Sequence, residues 1–315
     1  WMATMTFSLT SLFCGHLCLL LLCYIENGGA MQVISLSRFA VKGLGPDCLE
    51  EVCFEELGDT FPDDRRYALL ESPTNPTQFD PQHPEWLHKD NFLCAFTAPE
   101  LLARYITEYS STTEGKRLLT VWKRDATDPR KREDPPLLGP VDLGTEYGRT
   151  ELGQFFSHES GRTVECVSAQ SQKHEHQFGN TRSGVRERGD TRTVHLINAA
   201  TVRDVSDKLK LSNSLNPLRF RPNIVVDHLE PWSEFDLVGK TIQCESSGLQ
   251  FDIISRTVRC AGVGIDPLDP EAGTLDIPKL LQENFPQHGP YLGVYAVVSS
   301  PGNIRLGDTL SLAEN

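Results

Sequence analysis

The segment around Cys260 combines residue types that suit thiolate chemistry. It reads Arg256-Thr-Val-Arg-Cys260 and continues as Ala-Gly-Val-Gly-Ile-Asp-Pro267. The two arginines favour the ionised thiolate, which is the form of cysteine that ligates metals and attacks electrophiles. The glycines open the backbone where a predicted strand ends, as expected of a binding site. The alternative is a buried and inert cysteine, the common fate of a free thiol, and these residues alone leave both interpretations open.

A second segment, Asn216-Pro-Leu-Arg-Phe-Arg-Pro-Asn223, places two arginines ahead of an apolar strand. Arg219 and Arg221 are two positions apart, so in an extended segment both would project to one side. Their planar guanidinium groups suit bidentate binding of a phosphate or of the edge of a heterocycle. Asn223 adds a donor and an acceptor. The alternative is a strand entrance with solvated arginines, and two arginines alone favour that alternative.

The bulk composition limits the ligands that these segments could bind. The chain has 315 residues, which is enough for one large domain or two smaller ones. Its formal net charge of −13 argues against a general nucleic-acid binder, which needs a basic face to displace phosphate counterions. A small anionic ligand is still compatible with this charge, because a local cluster of arginines can lie within an acidic protein.

The cysteines and histidines indicate the cellular compartment more than a metal site. The nine cysteines are scattered, with no CxxC pair and no zinc-ligand spacing. This pattern favours a reduced, intracellular protein, cytoplasmic or mitochondrial, over a disulfide framework. His174 and His176 could chelate a metal, but no third ligand lies near them in the sequence. A surface loop is the favoured interpretation of that segment.

The first thirty residues need a separate interpretation. From Phe7 to Ile25 almost every residue is apolar or small, and this run approaches the ~20 residues that cross a bilayer. No Lys or Arg precedes it, so the basic flank of a signal peptide or a membrane anchor is missing. We favour an upstream extension with no folded role over residues 1–30. A membrane anchor is the alternative, and contact with a membrane is expected only in that case.

Hydrophobic periodicity and turn residues predict many short strands and few helices. Strands are predicted at Met31–Phe39, Arg66–Leu70, Thr193–Asn198, Asn223–Val226, Thr241–Cys244, Leu249–Arg256, Gly293–Val298 and Ile304–Leu306. Helices are predicted at Pro99–Tyr109, Thr150–Ser157, Ala200–Leu209 and Leu275–Asn284. The charged, proline-rich segment 123–140 is predicted to be a solvated loop. The fold class is therefore mostly β with peripheral helices (α+β), with a β-barrel-like first domain over residues 31–148 and a second β-barrel domain over residues 149–315.

Several motifs in this order resemble one known family. They are Val41-Lys-Gly-Leu44, Asp64-Arg-Arg-Tyr67, Asp190-Thr191, Phe220-Arg-Pro-Asn-Ile-Val-Val226, Arg259-Cys260, Asp266-Pro267 and Gly307-Asp308. Together they resemble the MOSC-domain family, with its N-terminal β-barrel domain in front, from about Met31 to Leu312. The Phe220–Val226 segment and the pair Arg259-Cys260 with Asp266-Pro267 are its specific carriers. Among characterised relatives the chain is most similar to the mitochondrial amidoxime-reducing enzymes.

The resemblance implies a molybdenum cofactor, a molybdopterin, and assigns residues to it. Cys260 would be the metal ligand and, with Asp190, a catalytic residue. Lys42 and Arg65 would hold the phosphate of the pterin, and Arg221 would contact the pterin. The implied cofactor site as a whole comprises Lys42, Arg65, Asp190, Thr191, Arg221, Cys260 and, as a less certain member, Asn223.

The same resemblance implies a molybdenum-dependent oxidoreductase that removes one oxygen atom from small N-hydroxylated or N-oxide substrates. Electrons would come from a separate protein of the cytochrome b5 type. The alternative is a carrier or binding protein that holds the cofactor or a persulfide on Cys260 without turnover. Two departures bear on this choice: Gly43 stands where relatives have serine after the lysine, and Val258 stands where they often have serine. Both lie near the implied cofactor and argue against turnover more than against binding.

Overall fold

The computed structural model describes residues 30–71, 88–128, 130–168, 178, 193–211, 214–268 and 273–314. Its strands are β1 (Met31–Arg38), β2 (Asp47–Leu49), β3 (Glu51–Phe54), β4 (Tyr67–Glu71), β5 (Tyr105–Ser111), β6 (Arg117–Lys123), β7 (Leu138–Asp142), β8 (Val164–Ser168), β9 (Val194–Asn198), β10 (Ile224–Asp227), β11 (Thr241–Cys244), β12 (Gln250–Val258), β13 (Tyr291–Ser300), β14 (Gly302–Arg305) and β15 (Thr309–Leu312). Its α-helices are α1 (Pro99–Leu102), α2 (Glu146–Ser160), α3 (Ala199–Lys208) and α4 (Ile277–Asn284). The prediction of a mostly β fold with peripheral helices is confirmed.

Seven strands close into a β-barrel. Their order is β10-β9-β13-β12-β11-β15-β1, and β1 pairs back to β10, while β2 lies beside β1 outside the ring. The β9–β10 pair is parallel, and the other pairs of the ring are antiparallel. β9 is buried along its whole length, as expected of a strand that is covered on both faces. The barrel and the helices around it share one hydrophobic core, which includes Leu36, Leu196, Ile224 and Phe251.

A flanking unit, described over residues 39–45, 64–71, 88–128 and 130–168, packs against one side of the barrel. It contains the pair β4–β8, the three-stranded sheet β5-β6-β7 and helix α2. α2 begins at an N-cap, Thr145, whose hydroxyl accepts a hydrogen bond from the Gly148 backbone N–H, and it ends at Gly161 with φ 67°. Its buried face, Leu152 and Phe156, joins the core of β4, β6 and β8. The flanking unit is therefore held together by its own hydrophobic core.

The packing does not follow the order of the chain. β1 belongs to the barrel, although its residues precede the flanking unit. α2, which spans residue 148, and β8, which follows it, belong to the flanking unit. Within the described residues the flanking unit has separate two- and three-stranded sheets and not a closed ring. The division expected between residues 148 and 149 stays a prediction.

One predicted helix is wrong in its second half. The helix that begins at Pro99 ends at Leu102, and the residues from Tyr105 onward form β5, which pairs with β6. Tyr105, Thr107 and Tyr109 are buried and alternate with more exposed neighbours. Aromatic and β-branched side chains fit such a pleated surface. The apolar positions that suggested a helix span a helix-to-strand junction instead; they are Leu101, Leu102, Tyr105 and Ile106.

The remaining elements agree with the sequence in kind. β11 has the predicted bounds, and β1, β4, β9, β10, β12, β13, β14 and the helices α2, α3 and α4 are confirmed within a few residues. The strands β2, β3, β5, β6, β7 and β8 were not predicted. None of the described helices is long and apolar enough to cross a membrane. The apolar stretch 1–29 lies outside the described residues.

A buried carboxyl group links the barrel to the flanking unit. Asp47 Oδ1 in β2 accepts a hydrogen bond of 2.8 Å from the backbone N–H of Tyr109 in β5. Arg38 Nε at the end of β1 lies 3.5 Å from Asp47 Oδ2. Burial raises the pKa of Asp47 to about 7, although the Arg38 charge opposes this shift. Burial therefore penalises the ionised carboxylate more than the Arg38 charge and the hydrogen bond from Tyr109 favour it.

We predict that this carboxyl group makes the stability of the protein depend on pH. Its pKa in the folded state lies above the ordinary value of 3.8, so the unfolding free energy falls as the pH rises between those two values. Asp47→Asn keeps the acceptor for Tyr109 and removes the ionisation. Between about pH 5 and about pH 8, wild type should lose about 2–3 kcal/mol more than Asp47→Asn in urea unfolding. Parallel pH curves for the two proteins would contradict the assignment.

Candidate functional site

Cys260 follows β12 at the boundary between the barrel and the flanking unit. Its backbone is extended, and it precedes a short 3-10 helix, Ala261–Val263. The Cys260 thiol is free and exposed. A methyl group on Gly262 would lie 3.6 Å from Cys260 Sγ and 3.8 Å from the carbonyl carbon and oxygen of Ala95. The thiol therefore faces a loop of the flanking unit.

Three cations from separate segments gather near this thiol. The guanidinium carbons of Arg65 and Arg221 lie 5.3 and 4.3 Å from the centre of the Phe39 ring. Arg65 Nη2 donates a hydrogen bond of 3.0 Å to the Arg221 carbonyl. The Lys42 ammonium interacts electrostatically with Arg65, Arg221 and Cys260. The structure thus brings together four of the predicted site residues.

Main-chain contacts set the positions of Lys42 and Arg65. The Lys42 backbone N–H donates to the Tyr67 carbonyl at 2.8 Å, and the Arg65 N–H donates to the Phe39 carbonyl at 2.8 Å. The segments Val41–Leu44 and Asp64–Tyr67 therefore run side by side. Each of these two motifs alone is a weak indication of a site, but backbone hydrogen bonds make them neighbours.

The electrostatics of the cluster favour an anionic ligand. Burial lowers the pKa of the Lys42 ammonium; the Cys94 thiol opposes this shift, and Arg65 and Arg221 add to it. Burial, with a contribution from Arg65, lowers the pKa of Arg221 to about 9, so this guanidinium stays protonated at neutral pH. Asp64 is the carboxylate beside the cluster, and it pairs with Arg65. Among the described residues the positive charges exceed the negative ones at this point.

The two arginines ahead of β10 are not in an extended segment, so that expectation is wrong. Pro217–Phe220 is a 3-10 helix, which the Asn216 side chain caps by accepting from the Leu218 N–H. Arg221 follows with a left-handed backbone, φ 55°. Proline at the first helical position and asparagine at the cap favour this turn. Arg219 and Arg221 nevertheless line the same cavity.

His195 and Arg259 form a buried layer behind the site. A nitrogen of the Arg259 guanidinium donates to His195 Nε2, and His195 Nδ1 lies 3.3 Å from the Arg221 carbonyl. His195 Nε2 is therefore the acceptor and Nδ1–H the donor, which requires a neutral imidazole. Burial and the Arg259 charge lower the pKa of His195 well below its ordinary value, in agreement with this tautomer. Arg259 also donates to the carbonyls of Phe220 and Leu292, so it binds main chain more than ligand.

A narrow cavity of about 40 Å³ lies between the barrel and the flanking unit, beside the segment that follows Cys260. Its lining comprises Gly43, Gly45, Ala95, Pro99, Leu102, Ala103, Tyr105, Arg219, Arg221, Gly262, Ile265 and Pro267. This volume has room for a few water molecules. It is too small to enclose a pterin, so a ligand of that size would have to bind outside it.

The comparison with known proteins assigns the barrel half of this site. Residues 174–311 match the family model of the MOSC domain. This part of the chain is therefore similar to a MOSC domain. β1, which closes the barrel, comes from outside the matched range. The barrel thus needs the N-terminal strand as well as the matched residues for its closure.

More distant comparisons add little to this assignment. No curated protein is significantly similar to the chain. The YUAD protein from Bacillus subtilis has 11% sequence identity and a TM-score of 0.40, with 90% of this chain and 95% of that chain covered. YiiM from Geobacillus stearothermophilus has 16% identity and a TM-score of 0.29, with 38% of this chain and 54% of that chain covered. Both TM-scores are too low to carry an argument.

Asp190 and Thr191 lie outside the described residues, as do His174 and His176. Their expected roles stay predictions. Within the described part of the chain, no group of three or more His, Cys, Asp or Glu residues could hold a metal ion.

Asn223 lies in the scaffold of the MOSC domain. It is buried, its Oδ1 accepts from the His195 N–H at 3.1 Å, and its Nδ2 donates to the Ser37 carbonyl at 3.2 Å. The Asn223 side chain thus joins β1 to β9, and its amide oxygen and amide nitrogen each have a main-chain partner. Its expected contact with a cofactor stays a prediction.

The two departures from the family pattern have different structural settings. Gly43 has φ 96°, and a Cβ there would lie 2.7 Å from the Cys94 Cα, so a serine hydroxyl cannot be added without moving backbone. Val258 lies opposite Tyr291 on β13, and both side chains are exposed. Lack of space for a side chain explains the glycine at position 43. Nothing in the structure explains Val258.

Sequence reasoning missed three residues of the site. Phe39 provides the ring beneath Arg65 and Arg221, His195 orients Arg259, and Cys94 lies next to Gly43 and Lys42. Phe39 is the last residue of a predicted strand and precedes the Val41–Leu44 motif, so its position was a usable signal. Cys94 and His195 have no local pattern that distinguishes them from core residues.

We predict that Asn223 stabilises the apoprotein. Asn223→Ala leaves a buried N–H and a buried carbonyl without partners, which should lower the unfolding free energy by about 2–4 kcal/mol. Asn303→Ala, which removes an exposed hydrogen bond to Glu51, is the control and should cost less than about 1 kcal/mol. Unchanged apoprotein stability with a loss of cofactor binding alone would show that Asn223 is a ligand instead.

We also predict that Gly43 is required for steric reasons. Gly43→Ser should destabilise the protein by about 2–4 kcal/mol, because it combines a left-handed backbone with contact against Cys94. Gly58→Ser is the matched control, since Gly58 also has positive φ, 75°, but no atom lies within 4 Å of its added Cβ. Thermal unfolding should show a clearly larger loss for Gly43→Ser, and equal losses would refute the steric argument.

Proposed function

We propose that this protein binds a molybdenum–pterin cofactor, with Cys260 as the protein ligand to the metal. MOSC domains are associated with molybdenum-cofactor binding, and residues 174–311 are such a domain. The observation that carries the proposal is the grouping of Lys42, Arg65 and Arg221, of which Lys42 interacts electrostatically with the exposed Cys260 thiol. These residues come from different segments of an acidic chain, so a general excess of basic residues does not explain why they lie together.

The donor set suits such a group. A thiolate is a soft ligand that favours soft metal centres, and Cys260 is accessible to one. The cations beside it suit a phosphate, because guanidinium groups bind phosphate oxygens with charge-assisted hydrogen bonds. Lys42 Nζ makes no hydrogen bond within the described part of the chain, and it lies over the Phe92 ring at 4.9 Å. Its donors are therefore available to an anion there.

The proposed reaction is the removal of one oxygen atom from a small N-hydroxylated or N-oxide substrate. A bound molybdenum cofactor supplies the two-electron chemistry, because the metal cycles between the +6 and +4 states. The chain's own residues bind and orient: Cys260 ligates the metal, Lys42 and Arg65 neutralise the phosphate, and Arg221 contacts the pterin. We place Asp190 and Thr191 at the same site. An external electron donor of the cytochrome b5 type and an intracellular location, cytoplasmic or mitochondrial, complete the proposal.

A non-catalytic carrier is the second candidate, and one observation favours it. The cavity beside Cys260 holds about 40 Å³, which has room for a few waters but not for a substrate. A carrier needs only the exposed thiol and the cation cluster. In that case Cys260 would hold the cofactor or a persulfide for delivery to another protein.

The test of cofactor binding is the metal and pterin content of the purified full chain. Protein from a host that makes the cofactor should contain about one molybdenum and one pterin per chain, and Cys260→Ala should reduce the molybdenum at least about tenfold. Cys53→Ala is the matched control, because Cys53 is also free and exposed but lies in β3. Wild type without molybdenum and pterin would refute the proposal.

Turnover is tested separately on the loaded protein. Reduction of benzamidoxime with a chemical electron donor, lost in Cys260→Ala and kept in Cys53→Ala, would support the oxidoreductase. Loaded protein that does not reduce benzamidoxime would favour the carrier.

A further inference from the structure

We propose that Arg124 of the flanking unit is a positioning residue that sets the location of the Cys260 loop, residues 260–268, relative to the cation cluster. The role assigned to Arg124 rests on the proposed function, because cofactor binding needs Cys260 and Lys42 at a defined distance from each other. The hydrogen bonds of Arg124 carry the inference, and they do not depend on the identity of the ligand.

Arg124 is buried at the end of β6, and its guanidinium group bridges two parts of the molecule. Its Nε donates to the Ala103 carbonyl at 2.8 Å and its Nη2 to the Tyr105 carbonyl at 3.3 Å, both in the flanking unit. The same Nη2 donates to the Pro267 carbonyl at 2.7 Å, in the Cys260 loop. One side chain therefore ties the far end of the loop to the start of β5.

Two other arginines hold the Cys260 loop from the barrel side. Arg259, directly before the loop, donates to main-chain carbonyls of Phe220 and Leu292. Arg219 donates to the Gly264 carbonyl at 2.6 Å. Both residues belong to the barrel, so they fix the shape of the loop but not its distance from the flanking unit. Arg124 supplies a contact from the other side.

The distance between Lys42 and Cys260 matters because the two residues belong to different parts of the molecule, the flanking unit and the barrel. Lys42 lies between Val41 and Leu44, which are part of the flanking unit's core, whereas Cys260 follows a barrel strand. A ligand held by both must find them at the correct distance, and displacements of about 1 Å weaken such sites severely. A buried, charge-assisted hydrogen bond across this boundary is suited to preventing that displacement.

The experiment compares Arg124→Met and Arg124→Lys with wild type, using apoprotein and loaded protein. Arg132→Met is the matched control, because Arg132 is an exposed arginine of the same β6–β7 connection, where it covers Trp122. In apoprotein, the alkylation rate of Cys260 by iodoacetamide is measured by mass spectrometry relative to Cys53, and amide hydrogen exchange is followed over residues 261–268.

For Arg124→Met we expect the relative alkylation rate of Cys260 to change at least about threefold, with faster exchange in the loop. Molybdenum content after loading should fall at least about fivefold. Arg124→Lys should restore part of each effect, since an ammonium can still reach one carbonyl, and Arg132→Met should match wild type. If Arg124→Met does not fold, Arg124→Lys decides, because it must still differ from wild type in alkylation and exchange.

Folded Arg124 variants with wild-type alkylation, exchange and molybdenum content would overturn the proposal. Equal effects in Arg132→Met would also overturn it, because the cause would then be general destabilisation. If wild type holds no molybdenum, the cofactor proposal fails, while alkylation and exchange in apoprotein still decide whether Arg124 holds the loop.

Discussion

The antiparallel pairing of β1 with β10 is the constraint on which the site depends. In its register Leu36 lies opposite Ile224, and the Ser37 N–H donates to the Asn223 carbonyl at 2.8 Å. The residues that follow β1 therefore meet those that precede β10, which places Phe39 beneath Arg221. Because the other edge of β1 pairs with β15, the strand that closes the barrel is also the strand that delivers Lys42.

Arginines near Cys260 serve two purposes. Arg259 and Arg219 direct their donors to main-chain carbonyls and so stabilise the turns around the thiol. Arg65 and Arg221 also contact main chain, but they stack on Phe39 next to Lys42. Burying this much positive charge costs free energy, even though Asp64 pairs with Arg65 and Asp266 lies 3.8 Å from Arg219. Such a cost is expected where binding of an anion recovers it, which is why the cluster indicates a ligand more strongly than any single residue does.

The sequence was informative where structure is local. β11 and β9 follow from short apolar runs between turn residues, and the Cys260 segment was identified from its own composition. It was uninformative where structure depends on distant partners. Nothing local shows that Met31–Arg38 closes a barrel with strands about 190 and about 280 residues later, or that Cys94 lies against Gly43. The junction at Leu102 was missed because Tyr105 and Ile106 follow Leu101 and Leu102 at helical spacing, and only the pairing of β5 with β6 decides between helix and strand.

The position of β1 in the ring has a consequence for biosynthesis. A chain leaves the ribosome from its N-terminus, so β1 is synthesised early, but its partners β10 and β15 appear only after the whole flanking unit. The flanking unit has its own core and can collapse while β1 has only its short pairing with β2. Closure of the barrel must therefore wait for Thr309–Leu312. We expect barrel closure to be the slow step of folding, as is usual when the decisive contacts are far apart in the chain.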